Sequence, residues 1–109
     1  MIEGLWTVEF RSSIGGTGYG TVVFDGSRAM GGSAGYYYYG KYEIEGDVIT
    51  GSLQVRRYND SLVSVFGPLE EFELQLSGQV NESRMVLSGR VADRPAAKIV
   101  VVCTRRDIS

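Results

Sequence analysis

The chain has 109 residues and a formal net charge of −2; 43% of its residues are apolar and 22% charged, with fifteen glycines and two prolines. That is the length of one domain with enough apolar content for one core. It has no histidine, one cysteine and no run of more than two Lys or Arg. These absences exclude histidine acid–base chemistry, an internal disulfide and the cation cluster that generic nucleic-acid binding needs.

Alternation with period two dominates from the start. The first strand, Gly4 to Phe10, turns Trp6, Val8 and Phe10 one way and Leu5, Thr7 and Glu9 the other. Ser12 to Gly16 reads as a turn region, and a second strand runs from about Gly18 to Phe24. Asp25-Gly26 is a strong hairpin signal, and a short third strand covers Arg28 to Gly31. The fourth strand, Tyr36 to Glu45, puts Tyr36, Tyr38, Tyr42 and Ile44 on one face and Tyr37, Tyr39, Lys41 and Glu43 on the other. After a turn at Glu45-Gly46-Asp47, the fifth strand, Val48 to Tyr58, sends Ile49, Gly51, Leu53 and Val55 inward.

The longest loop runs from Asn59 to Leu69, punctuated by Gly67-Pro68. The sixth strand, Glu70 to Val80, opposes Phe72, Leu74 and Leu76 to Glu71, Glu73 and Gln75. The seventh opposes Met85, Leu87, Gly89 and Val91 to Arg84, Val86, Ser88 and Arg90. Asp93-Arg94-Pro95 ends it, and the eighth strand starts near Ala97. About eight strands at regular spacing, with no helical period, predict an all-β fold. An eight-stranded antiparallel up-and-down barrel of lipocalin-like form is the expected architecture, with a sandwich as the alternative. Closure also removes the sheet edges that an open form would have to protect. In such a barrel Trp6 plugs one end, and Arg105, on the inward parity of Ile99 and Cys103, reaches across its ring.

The chemistry-bearing residues are few. No metal-ligand cluster, no nucleophile triad and no calcium loop is present, so no cofactor and no enzymatic role are expected. Gly15-Gly16-Thr17-Gly18-Tyr19-Gly20 has the look of a phosphate loop but leads into a strand, which offers no helix N-terminus to an anion. Cys103 sits in an apolar strand and reads as a small buried hydrophobe. The opening Met1 to Trp6 carries no basic stretch before an apolar one, and no segment reaches ~18 apolar residues. The expectation is a cytoplasmic protein without a signal peptide or membrane span.

Three groups stand out as candidate sites. Tyr37 and Tyr39 face outward, where amphipathic rings favour a protein interface. Val100 and Val102 make the last strand apolar on its outer face too, which predicts a homodimer through that strand. Inward glycines at Gly40, Gly51 and Gly89 would leave room between Tyr38, Leu53, Met85 and Leu87, so a carrier of a small apolar ligand is the alternative reading.

Gly4-Leu5-Trp6-Thr7-Val8-Glu9-Phe10, the stretch from Gly31 to Gly40, and Arg57-Tyr58-Asn59 followed by Ser64-Val65 resemble the GrlR family in strand order over nearly the whole chain. These are small lipocalin-like regulators named for a negative regulator of type III secretion. The resemblance implies an eight-stranded barrel, dimerisation, and inhibition of a transcriptional activator by direct binding. It also implies an acidic surface turn for that partner. Here the comparable turn is Glu43-Ile44-Glu45-Gly46-Asp47, where Glu43, Glu45 and Asp47 are interrupted by an isoleucine and a glycine.

Overall fold

The computed structural model describes residues 2–59 and 70–106. Eight strands follow in chain order: β1 (Gly4–Ser12), β2 (Thr17–Asp25), β3 (Arg28–Gly32), β4 (Tyr36–Glu45), β5 (Val48–Arg57), β6 (Glu71–Gln79), β7 (Arg84–Val91) and β8 (Arg94–Arg105). Each pairs antiparallel with the next, and β1 closes on β8 from Trp6↔Arg105 to Ser12↔Ile99. The architecture is therefore a closed up-and-down barrel and not a sandwich.

Short turns set the register. Asp25 pairs with Arg28 and Glu45 with Val48, leaving two-residue loops at Gly26-Ser27 and Gly46-Asp47. Both begin with a glycine at φ near +60° (63° and 62°), the first-position glycine of a type II′ hairpin. At β7–β8 the expected turn shifts back. Arg94 already pairs with Val91, whereas Arg90 pairs with Lys98, so Pro95 to Ala97 form a bulge. Proline lacks the N–H that a regular ladder would use, which suits it to this position.

The alternation read from the sequence carries through to burial. Trp6, Val8, Val22, Phe24, Tyr36, Tyr38, Tyr42, Ile49, Val55, Leu74, Leu76, Met85, Leu87, Ile99, Val101 and Cys103 are all buried. Gly40 and Gly89 do not hold open space. A Cβ on Gly40 would lie 1.9 Å from the Ser52 carbonyl oxygen, and one on Gly89 would lie 1.8 Å from that of Gln75. Their missing side chains let neighbouring strands approach where the wall bends. The expectation that these two glycines leave ligand room is corrected by that contact; only Gly51 faces the interior space.

Candidate functional site

The end of the barrel where β1 begins is plugged. Trp6 is fully buried and its indole N–H donates to the Ile2 carbonyl at 2.9 Å. The Phe24 ring meets it edge-on at 5.8 Å, and Tyr42 meets Phe24 in the same way at 5.1 Å. The Arg105 guanidinium lies 5.8 Å from the indole centre and donates to the Glu3 carbonyl. The parity argument thus put the right arginine over the right ring. A cation over an indole contributes roughly 0.5–2 kcal/mol, more as it is desolvated.

The interior beyond the plug is nearly full. Among the described residues it holds a cavity of about 50 Å³, lined by apolar groups that include Phe10, Tyr38, Leu53, Leu74, Leu87 and Cys103. Of the four residues expected around a ligand cavity, Tyr38, Leu53 and Leu87 line this small space, and Met85 is buried away from it. Parity along a strand decides whether a side chain points inward but not its height in the barrel, which is why Met85 was misassigned. An apolar cavity that admits benzene is roughly 150 Å³, and drug-sized ligands fill roughly 300–1,000 Å³. The space between the described residues is well below either.

The polar groups inside are held neutral. The Tyr38 hydroxyl donates to the Thr21 carbonyl at 2.7 Å and lies 3.2 Å from that of Gly32. Burial raises its pKa first and the facing Cys103 second. Burial pushes the Cys103 thiol up to about 12. The Tyr42 hydroxyl is buried without a hydrogen-bond partner, and burial followed by the charges of Glu3 and Asp25 raises its pKa. Among the described residues no charged side chain is buried and no group of His, Cys, Asp or Glu could hold a metal. Two phenols and a thiol in their neutral forms have little capacity to move a proton near neutral pH.

The outer wall is where the molecule is uneven. Leu5 pairs with Val23, Val23 with Met30, and Met30 with Tyr39. All four point outward and are 42%, 36%, 40% and 42% exposed. They form one registered apolar row across β1–β4. Tyr37 lies beside it, its ring nearly parallel to that of Tyr39 at 6.3 Å, with Tyr58 edge-on to Tyr37 at 6.3 Å. The Tyr58 hydroxyl donates to the Ser33 carbonyl at 2.7 Å, which fixes that end. Arg56 lies 5.9 Å over the Tyr39 ring.

The rest of the wall is more polar, though Val48, Val86 and Val100 are exposed on β5, β7 and β8. On β5 the apolar row gives way to Gln54, then to Glu73 on β6, and the two side chains hydrogen-bond at 2.9 Å. A broad open trough of about 1320 Å³ crosses the other side, with Thr50, Ser52, Gln75, Ser77 and Ser88 on its floor and Lys41, Arg90 and Lys98 among its borders. Val100 also borders this trough. Val102, half-buried, pairs with the exposed Val86 and with Glu9, which bridges to Arg11 at 2.8 Å.

The structure therefore separates the three expected surfaces. Tyr37 and Tyr39 belong to the apolar row. Glu43, Glu45 and Asp47 are exposed toward the plugged end of β4, with Lys41 between them and the tyrosines. Asp47 is partly tied, accepting from the Gln79 amide at 3.2 Å. The valines lie on a different part of the wall. The long loop and Ser64-Val65 fall outside the described residues. Sequence reasoning missed Leu5, Val23 and Met30 as partners of the tyrosines. The Asp25-Gly26 hairpin was the available signal, because a two-residue loop there sets Val23 opposite Met30.

No family model matches the chain, and no curated protein matches it. Among solved structures it is similar to a redesigned β-barrel, with a TM-score of 0.70 and 15% identity, over 97% of this chain and 92% of that one. At that identity the likeness concerns the fold alone. It agrees with the closed all-β barrel.

Proposed function

We propose that this chain is a non-catalytic cytoplasmic binding protein that works through its outer wall and takes another protein as its partner. The observation that carries this reading is the exposed row Leu5–Val23–Met30–Tyr39, extended by Tyr37 and Tyr58. Closure of the barrel does not require these residues to be apolar, since the same fold carries Ser, Thr and Gln at outward positions of β5–β7. A contiguous apolar patch edged by polar groups marks a contact surface. The more specific form of the proposal is a GrlR-like negative regulator that binds a transcriptional regulator and pairs with a second copy through Val100 and Val102; it rests on the sequence resemblance.

The test is site-specific cross-linking in the host cell, with a photoreactive residue replacing Tyr39 in one variant and Ser88 in another. The proposal expects one discrete protein adduct from position 39, lost when Met30→Asp is added, and none from position 88. An absence of adduct at position 39 would overturn it. Sedimentation of the purified chain and of Val100→Asp tests the dimer separately: a dimer that the substitution dissolves supports it, and a monomeric parent chain rejects it.

A further inference from the structure

Inside the barrel, one registered row of inward positions runs Tyr42, Gly51, Leu76, Gly89, Ile99 across β4–β8. Its two glycines behave differently. At Gly89 the Gln75 carbonyl and the Leu76 Cδ2 take the place of the missing side chain. At Gly51 nothing does: a Cβ there would meet the Lys41 carbonyl oxygen at 3.5 Å and the Tyr42 Cβ at 3.7 Å, both ordinary contacts. Gly51 borders the cavity of about 50 Å³, together with Leu53 on its own strand and Phe10, Leu87 and Cys103 on β1, β7 and β8. The space is therefore one that a side chain at position 51 would partly fill.

Its lining disfavours water. A buried water needs roughly two to four hydrogen-bond partners. The Tyr38 hydroxyl is already bonded to the Thr21 carbonyl, and the Cys103 thiol is a weak donor. Among the described residues only the Tyr42 hydroxyl is buried without a partner, and one hydroxyl cannot hold a water. An apolar void also leaves its lining atoms without contacts on one side, and an apolar guest restores that dispersion attraction. The ring of Phe10, edge-on to Tyr38 at 5.8 Å, and the sulfur of Cys103 are polarizable neighbours for such a guest. The volume exceeds the roughly 30 Å³ share of one liquid water and is well below the roughly 150 Å³ that takes benzene.

We infer that the interior binds one small, uncharged, apolar molecule, of the size class of a xenon atom or a diatomic gas such as dioxygen, and that Gly51 keeps the place open. The site lies inside the wall and is separate from the exposed row.

Methyl NMR of the purified full-length chain under xenon pressure tests this. Saturable one-site shifts are expected at Leu53 and Leu87, with Met85, which is buried away from the space, unmoved. Dioxygen is paramagnetic and is expected to broaden the same two leucines more than Met85. Gly51→Ala is expected to fold, to melt no lower than the parent chain and to lose the xenon shifts. Leu53→Ala enlarges the space and is expected to admit benzene, which the parent chain refuses. The absence of a saturable shift in the parent, equal shifts at Met85, or xenon shifts retained in folded Gly51→Ala overturns the inference. So do benzene binding by the parent and Overhauser contacts from a bound water to Leu53 and Leu87. If Gly51→Ala does not fold, Leu53→Ala decides: saturable benzene shifts at Leu87 support the site, and a folded variant that takes neither xenon nor benzene overturns it.

Discussion

The outer faces of β1–β4 and β5–β8 are built by the same alternation on the same closed ladder, yet they differ. Across the first four strands one registered row reads Leu5, Val23, Met30, Tyr39. Across the later strands an adjacent row reads Ser52, Gln75, Arg90, Lys98. Inside, both halves contribute apolar side chains to one core. The interior thus answers to packing everywhere, whereas the exterior is free to vary. The proposed function rests on that difference between the two faces.

Perturbing the interior should give the largest effects. Trp6→Ala is expected to lower stability by about 3–5 kcal/mol, because it removes the plug and leaves a cavity; urea denaturation measures this. Gly89→Ala would press a methyl against the Gln75 carbonyl, and overpacking of this kind costs about 1–3 kcal/mol. The two buried phenols should part in sign. Tyr38→Phe loses the bond to Thr21 and is expected to destabilise by about 1 kcal/mol, whereas Tyr42→Phe removes an unpartnered hydroxyl and is expected to stabilise by up to about 1 kcal/mol.

Alkaline pH sharpens the contrast without mutation. The folded Cys103 pKa of about 12 lies above its ordinary value of 9.0. Above pH 9 the unfolded chain therefore gives up a proton that the folded chain keeps. The contribution is fully present below pH 9 and is lost as pH rises toward 12. Tyr38, raised from 10.0 by burial, adds to the loss at the upper end of that window. Denaturation midpoints should be flat with respect to this thiol up to about pH 8 and fall from pH 9; Cys103→Ala should remove the early part of the fall.

The exterior should give the smallest stability effects. Met30→Ser and Ser88→Ala are each expected to change stability by less than about 0.5 kcal/mol. Only the first should weaken partner binding. A loss of partner binding in both, or in Ser88→Ala alone, would break the distinction between the two faces.

Much of the barrel was legible because its code is local. Inward and outward parity follows from alternation, and it assigned Trp6, Tyr38, Leu53 and Leu87 to the interior and Tyr37 and Tyr39 to the outside. The same parity carried Arg105 to Trp6 across the chain. Height along the axis is not encoded in parity, so Met85 was expected in a space it does not reach. Gly40 and Gly89 looked like gaps, but backbone from the next strand fills them. The apolar row was the least visible feature. Its members sit on four strands, and their adjacency depends on register fixed by the turns between them, beginning at Gly26-Ser27. Tyr37 and Tyr39 could be seen because they share one strand.

The most direct measurement is a methyl NMR titration of the full chain with the purified protein that position 39 captures. Met30 reports the outer row, and Leu53 and Leu87 report the cavity. The account predicts that the Met30 methyl shifts while those of Leu53 and Leu87 stay in place. Shifts at Leu53 and Leu87 with Met30 unmoved would contradict it.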